Sequence, residues 1–334
     1  MKEVYPGIFL IKEKGTIGAV KPPENIYVIA GKDGLIFDGG YGNRKTVRHV
    51  IEGINKIRRV YFKKKKTFQV TRVLPSHVHP DHFSGLKALK RYLNIDILLT
   101  EKMAEVIQSR QNFYDYYESN NYFKQNFIKD NLGNVLKFQL RKPLLRFFYQ
   151  IIYGLSFIQE PDEIIDEKTK ITINNQEWEI FPSPGHSSDH ISLYNEPEGV
   201  LFSGDNILRT VTTWLGPPNS DIEEYIHTIK RIRALPNLKL ILPAHGSPIT
   251  QPYERIEEIL EHRKHRTQQV LKIVQKHSNH GITPEEIIEI LYTSQGRMMY
   301  GVARGWVVLT LQMLVEKGRI KYLIKNEGVK FYPA

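Results

Sequence analysis

Short, dense apolar runs dominate the first hundred residues. Residues 8–12, 25–30 and 34–37 are rich in β-branched and aromatic side chains and are bounded by Gly, Pro and Asp, which predicts strands. Asp38-Gly39-Gly40 ends the last of them. Residues 44–57 space their apolar positions at helical intervals. Residues 70–74 form a compact apolar strand that runs into Ser76-His77-Val78-His79-Pro80-Asp81-His82. A helix over 82–92 and a strand over 95–100 follow. Antiparallel signals then take over. Strands 170–173 and 178–181 flank the turn Asn174-Asn175-Gln176, and 191–195 and 200–203 form a second hairpin. A helix over 221–234 leads to a strand over 238–242 that ends at Pro243-Ala244-His245-Gly246. The mixture predicts an α/β (α+β) fold.

Two stretches stand apart. Residues 101–164 contain no His and are dense in aromatics, among them Phe113, Tyr116, Tyr117, Phe147, Tyr153 and Phe157. They read as a mostly helical insertion, either a lid over a site or an appendage packed on itself. After Gly246 a long charged helix is expected over 253–276. Thr283-Pro284-Glu285-Glu286 is a capping-box helix start. A helix over 300–316 and strands over 320–324 and 329–332 complete the outline of a winged helix. The expected domains are therefore 1–250, including the insertion, and 251–334.

Composition narrows the chemistry. The chain has 334 residues, no cysteine and a net charge of +11. Without Cys there are no disulfides or thiolate ligands, and any transition metal must be held by His, Asp and Glu. No apolar run is long enough to span a membrane. The N-terminal apolar patch, broken by Pro6 and closed by Lys12, is no signal-peptide core, which predicts a cytoplasmic protein. Residues 1–100 carry 19 Lys+Arg against 8 Asp+Glu, most densely over 56–66. That run reads either as an anion-attracting patch or as a solvated charged face.

The sharpest signal is His77-x-His79-x-Asp81-His82. In extended backbone, residues i and i+2 point to one side, so His77 and His79 can share an ion. Pro80 keeps His79 extended. Beyond the turn, Asp81 and His82 can face a second ion. Imidazole and carboxylate ligands suit zinc, iron or manganese. Further ligand types follow apolar runs beside a glycine at Pro184-Gly185-His186, Ser203-Gly204-Asp205 and Pro243-Ala244-His245-Gly246.

With these blocks in order, the chain resembles the metallo-β-lactamase superfamily, an αββα sandwich with a dinuclear site on one edge. Pro184-Gly-His-Ser-Ser-Asp-His190, Leu201-Phe-Ser-Gly-Asp205 and Val315-Glu-Lys-Gly-Arg-Ile320 resemble the glyoxalase II-like branch with a C-terminal winged helix, which includes the β-lactamase-like protein 2 type. The resemblance implies that His77, His79 and His186 hold one ion and that Asp81, His82 and His245 hold the other. Asp205 would bridge them. Asp38 and His190 would sit behind the ligands and orient them, although a turn-forming role is the rival for Asp38. The implied cofactors are two divalent ions, zinc foremost, with iron and manganese as alternatives. The family's β-lactamases use Cys near the position of Asp205, so the absence of Cys speaks against antibiotic hydrolysis. His79 separates the chain from the di-iron branch that has Glu there.

The function implied is a metal-dependent hydrolase that attacks a small ester or thioester with a metal-bound hydroxide. Asp81 and Asp205 are the catalytic carboxylates. RNA phosphodiester cleavage is the alternative, and a nucleic-acid-binding protein with a vestigial site is a third reading. The expected partner is a small-molecule substrate, with RNA second. Residues 302–315 offer only Arg304, Thr310 and Gln312 to a groove, which favours packing or homodimer formation over DNA readout.

Overall fold

The computed structural model describes residues 1–13, 21–118, 146–147, 150–166, 168–216, 218–292, 297–325 and 328–334. A seven-stranded sheet has the order β1 (Lys2–Tyr5), β2 (Ile8–Lys12), β3 (Asn25–Ile29), β4 (Gly34–Phe37), β5 (Val70–Leu74), β6 (Asp96–Thr100), β7 (Glu163–Ile165). Strands β1–β4 pair antiparallel, and β4–β7 pair parallel. The second sheet has the order β12 (Leu240–Pro243), β11 (Val200–Gly204), β10 (Ile191–Asn195), β9 (Gln176–Pro182), β8 (Thr169–Ile173).

The two sheets face each other. Phe202 of β11 has its ring centroid 5.2 Å from Tyr27, 5.1 Å from Phe37 and 5.6 Å from Trp178, so both sheets meet on one aromatic cluster. Side-chain alternation divides the second sheet. Leu193, Phe202 and Leu242 point into the inter-sheet core, while their neighbours Tyr194, Leu201 and Ile241 join a second core on the outer face. Burial on both faces explains why these strands read as unbroken apolar runs. Helices α1 (Arg44–Lys63) and α3 (Leu86–Leu93) cover the first sheet. Helix α6 (Ile222–Arg233) contributes Tyr225, Ile229 and Ile232 to the outer core of the second.

The last elements are α7 (Pro252–Lys276), α8 (Pro284–Leu291), α9 (Arg297–Glu316) and the hairpin β13 (Ile320–Lys325)–β14 (Gly328–Pro333). Thr283 caps α8 with the expected reciprocal bonds to Glu286. Ile256, Ile259, Val307, Leu311 and Phe331 share the outer core with Leu201 and Ile241. At Gly305 of α9, a Cβ would lie 2.8 Å from the Leu215 carbonyl oxygen and 3.0 Å from the Gly216 Cα, so the helix rests directly on that loop. Among the described residues no helix is long and apolar enough to cross a membrane.

Several boundaries differ from the sequence pattern. The expected helix over 82–92 is two pieces, α2 (Pro80–Phe83) and α3. They separate at Ser84-Gly85, where a Cβ on Gly85 would lie 2.1 Å from the Gly39 carbonyl oxygen. The basic run 56–66 is the end of α1 and the turn after it, and most of it is exposed. Within the expected helical insertion, α4 (Glu101–Ile107) and α5 (Arg110–Glu118) are helices, but 163–165 is an edge strand. Most of the remainder, including 119–145, lies outside the described residues.

Candidate metal centre

Strand direction places the site. β4 and β5 end on one edge of their sheet. β9, β11 and β12 run alike in the other, because β9 and β11 both pair antiparallel with β10 and β12 pairs parallel with β11. The segments after these strands carry Asp38, 76–82, 183–190, Asp205 and His245, and they meet across the edge. One ligand atom each from His77, His79, His186 and Asp205 lies within 4.8 Å of the others, and the same holds for Asp81, His82 and His245. All seven predicted ligand positions are therefore brought together.

Asp205 connects the two groups. Its Oδ2 is 3.4 Å from His186 Nε2, and its Oδ1 is 3.3 Å from His245 Nε2. Asp81 lies 3.5 Å from His245 Nε2 and 3.7 Å from His82 Nε2. Two glycines make the approach feasible. Gly185, at φ +134°, brings the chain so close to α6 that a Cβ would sit 2.3 Å from the Tyr225 Cα. Gly204, at φ +49°, leaves room for the His190 ring just before Asp205.

The far side of each imidazole decides which nitrogen faces inward. His186 Nδ1 is 2.8 Å from the Trp214 carbonyl and His245 Nδ1 is 2.8 Å from the Pro23 carbonyl. A carbonyl only accepts, so each Nδ1 carries a hydrogen, and Nε2 is the nitrogen that can offer a lone pair inward once it is free of a proton. His82 Nδ1 lies 3.1 Å from Glu24 Oε1 and 3.2 Å from Asp38 Oδ1, so a hydrogen on that nitrogen faces two carboxylates and Nε2 faces inward. His77 Nδ1 meets Ser76 Oγ at 3.0 Å. These outer contacts are the kind that orient metal-binding imidazoles.

Asp38, at φ +67°, also accepts the Ser76 N–H at 2.7 Å, so it acts on the site as well as at the turn. His190 stands behind Asp205. Its Nε2 accepts the Asp205 N–H at 3.1 Å and its Nδ1 meets Ser183 Oγ at 2.8 Å. Sequence reasoning missed Glu24, Ser76, Asp189 and the Trp214 carbonyl. Asp189 accepts the Val78 N–H at 2.8 Å and so holds the His77–His79 backbone. Asp189 lies inside the quoted 184–190 block, which was a usable signal. A backbone carbonyl leaves none.

Charge is sorted across the site. Burial drives His77 and His190 well below their ordinary range, lowers His186 and brings His79 down to about 3. Burial also opposes charge on His245, but the Asp205 and Asp81 carboxylates outweigh it and push that group up to about 10. Against the same burial, Glu24, Asp38 and Asp81 raise His82.

The cluster fits divalent cations. His79 Nδ1 lies 2.8 Å from His77 Nε2 and 2.9 Å from His186 Nε2. A neutral His79 has at most one hydrogen on Nδ1 to share between these two nitrogens, so three ring nitrogens converge with too few hydrogens to pair them fully. His82 Nε2 and Asp205 Oδ1 are buried without a hydrogen-bond partner. A cation among these lone pairs removes both defects.

Comparison with known proteins agrees with this geometry. Residues 21–245 match the Metallo-beta-lactamase superfamily, and the chain belongs to it. Members are in general metal-dependent hydrolases, so the chain is an enzyme of that class. A Beta-lactamase-like protein 2 homolog from Caenorhabditis elegans is 29% identical over 157 residues, 47% of this chain and 51% of the relative. One from Drosophila melanogaster is 28% identical over 179 residues, 52% of this chain and 59% of the relative. The matches thus span about half the length of these relatives. An Atrochrysone carboxyl ACP thioesterase from Aspergillus fumigatus is 28% identical over 130 residues, 36% of this chain and 39% of the relative. A Beta-lactamase domain protein from Burkholderia ambifaria has the same fold, with a TM-score of 0.74 at 18% identity, covering 100% of this chain and 93% of the other.

Proposed function

We propose that the protein is a dinuclear metal-dependent hydrolase of small esters or thioesters, with residues 1–250 as the catalytic domain and 251–334 as a winged-helix-like domain that packs against it. The observation that carries this reading is the convergence of five imidazoles, each with an inward ring nitrogen, around two carboxylates. Two bound divalent ions of the zinc, iron or manganese type would supply Lewis acidity to a carbonyl oxygen and bring the pKa of water toward neutrality.

The protein's own groups do the rest. His77, His79 and His186 would hold one ion, Asp81, His82 and His245 the other, and Asp205 stands between the two sets. Asp81 is the carboxylate best placed to orient an attacking water, although against its burial the His82 and His245 rings hold it below the usual carboxylate range and so weaken it as a base. Its carboxylate is 16% exposed, whereas Asp38 and Glu24 are sealed. Tyr117 lies 5.7 Å from the His79 ring, and Phe113 packs 4.7 Å from Tyr117. These rings give an apolar wall that suits an acyl group and excludes water on that side. The relative named as an ACP thioesterase supports a thioester in particular.

An activity panel on metal-analysed protein tests the reading, using thioesters, lactones, phosphodiesters and short RNA. Thioester turnover that scales with two ions per chain is the expected result. Fully loaded protein that cleaves only RNA, the reading favoured by the basic end of α1, would overturn it.

A further inference from the structure

The segment Pro22-Pro23-Glu24-Asn25 enters β3 along the edge of the site, and its contacts fall on one side of the metal cluster. The Pro23 carbonyl faces His245 Nδ1 at 2.8 Å. Glu24 Oε1 lies 3.1 Å from His82 Nδ1. The Asn25 backbone N–H donates to the Ala244 carbonyl at 2.7 Å. The Asn25 side-chain amide donates to the Pro243 and Gly246 carbonyls at 2.8 and 3.0 Å, so it grips the loop on both sides of His245. Both imidazoles of the Asp81–His82–His245 group are therefore addressed from this segment. The other group has no contact from this segment and takes its outer contacts from Ser76 and Trp214, although Ser76 Oγ also reaches His82 Nδ1 at 3.3 Å.

The segment is also stiff. Two prolines fix φ and carry no N–H, leaving their carbonyls as acceptors in set directions. The Pro22 carbonyl accepts the Tyr41 hydroxyl at 3.1 Å. At its head, buried Lys21 has its Nζ 3.5 Å from Glu13 Oε1 and 4.4 Å from the Tyr41 ring. At its tail, Asn25 pairs with Lys12 across the β2–β3 ladder. Glu24 is wholly buried, neither of its carboxylate oxygens has a hydrogen-bond partner among the described residues, and its charged neighbour is the His82 ring at 3.1 Å. A buried carboxylate of that kind is costly unless it serves its neighbour.

We infer that Pro22–Asn25 is a positioning strap for one half of the metal centre: it aims His245 and, together with Asp38 and Ser76, His82, and so governs occupancy of that half more than of the other. This rests on the dinuclear reading proposed above.

The test compares the wild-type chain with Glu24→Gln, Asn25→Ala and, as a control, Ile29→Val. Ile29 is a buried residue at the other end of β3. Zinc per chain is measured by elemental analysis across a chelator series, with cobalt-substituted spectra and thermal melting alongside. Glu24→Gln and Asn25→Ala are expected to weaken one ion by about 10- to 100-fold while the other holds within about twofold. In the thioester assay kcat falls with KM little changed. Ile29→Val melts earlier but keeps both ions. Two ions retained at wild-type affinity in both strap variants overturn the inference. Equal loss of both ions, in step with melting temperature, also overturns it, because that marks a general stability effect. If the wild-type chain takes up no zinc, the proposed function falls and the strap with it. Wild-type binding of two ions with unaffected variants removes the strap alone.

Discussion

Asp205 lies between the two groups, with Oδ2 nearest His186 at 3.4 Å and also 3.9 Å from His82, and Oδ1 3.3 Å from His245. Asp205→Ala should remove at least one ion and lower kcat/KM by more than the roughly 10- to 100-fold expected of an outer-contact residue. Elemental analysis with steady-state kinetics checks this, and an active, fully loaded variant contradicts it. The imidazoles predict a second outcome. His79, held down to about 3, contributes stability above pH 6.5 that is lost as pH falls toward 3. His245, pushed up to about 10, contributes stability below pH 6.5 that is lost as pH rises through 10. Metal-free protein should therefore melt highest near pH 6.5. Adding zinc should flatten the alkaline limb, because a metal-bound His245 is already neutral. A melting profile across pH 4–10, with and without zinc, measures both limbs. At this scale the candidate ligands were legible because His and Asp recur at strand ends. The Pro23 and Trp214 carbonyls were not, since any residue type supplies a carbonyl.

Among the elements, the glycine before His186 carries a constraint that bears directly on the site. A side chain at Gly185 would need both a left-handed φ and space already filled by α6. Gly185→Ala should cost about 2–4 kcal/mol in chemical denaturation and weaken metal binding through His186. A wild-type denaturation midpoint in that variant would contradict the packing described. Phe202→Ala, in the aromatic cluster between the sheets, should cost about 3–5 kcal/mol. Strands and long helices were readable because each carries its periodicity within a few residues. The α2–α3 break was not readable. It follows from a backbone contact between Gly85 and Gly39, which lie far apart in sequence. The pairing of β11 with β12 was hidden for the same reason, as a whole helix intervenes.

For the molecule as a whole, the two apolar cores set the terms. Leu201 and Ile241 on the outer face of the second sheet are covered jointly by α6 and by helices beyond residue 250. A chain ended at 250 should therefore expose an apolar sheet face and aggregate. Size-exclusion chromatography of the shortened chain, expected to run as large species, checks this, and a well-behaved monomer would contradict it. The missing thiols confined any metal ligands to His, Asp and Glu, and the ordered ligand blocks carried the resemblance to a hydrolase family, but nothing in them showed that the C-terminal elements share a core with the sandwich.

The seating of Gly305 on Leu215 and Gly216 has a further consequence. Trp214, the residue before Leu215, lends its carbonyl to His186. One extra methyl at Gly305, remote from every ligand, would push that carbonyl aside and loosen the grip on His186. Surveys of inactive variants should therefore find hits in the closing stretch of the polypeptide that no inventory of ligands would explain.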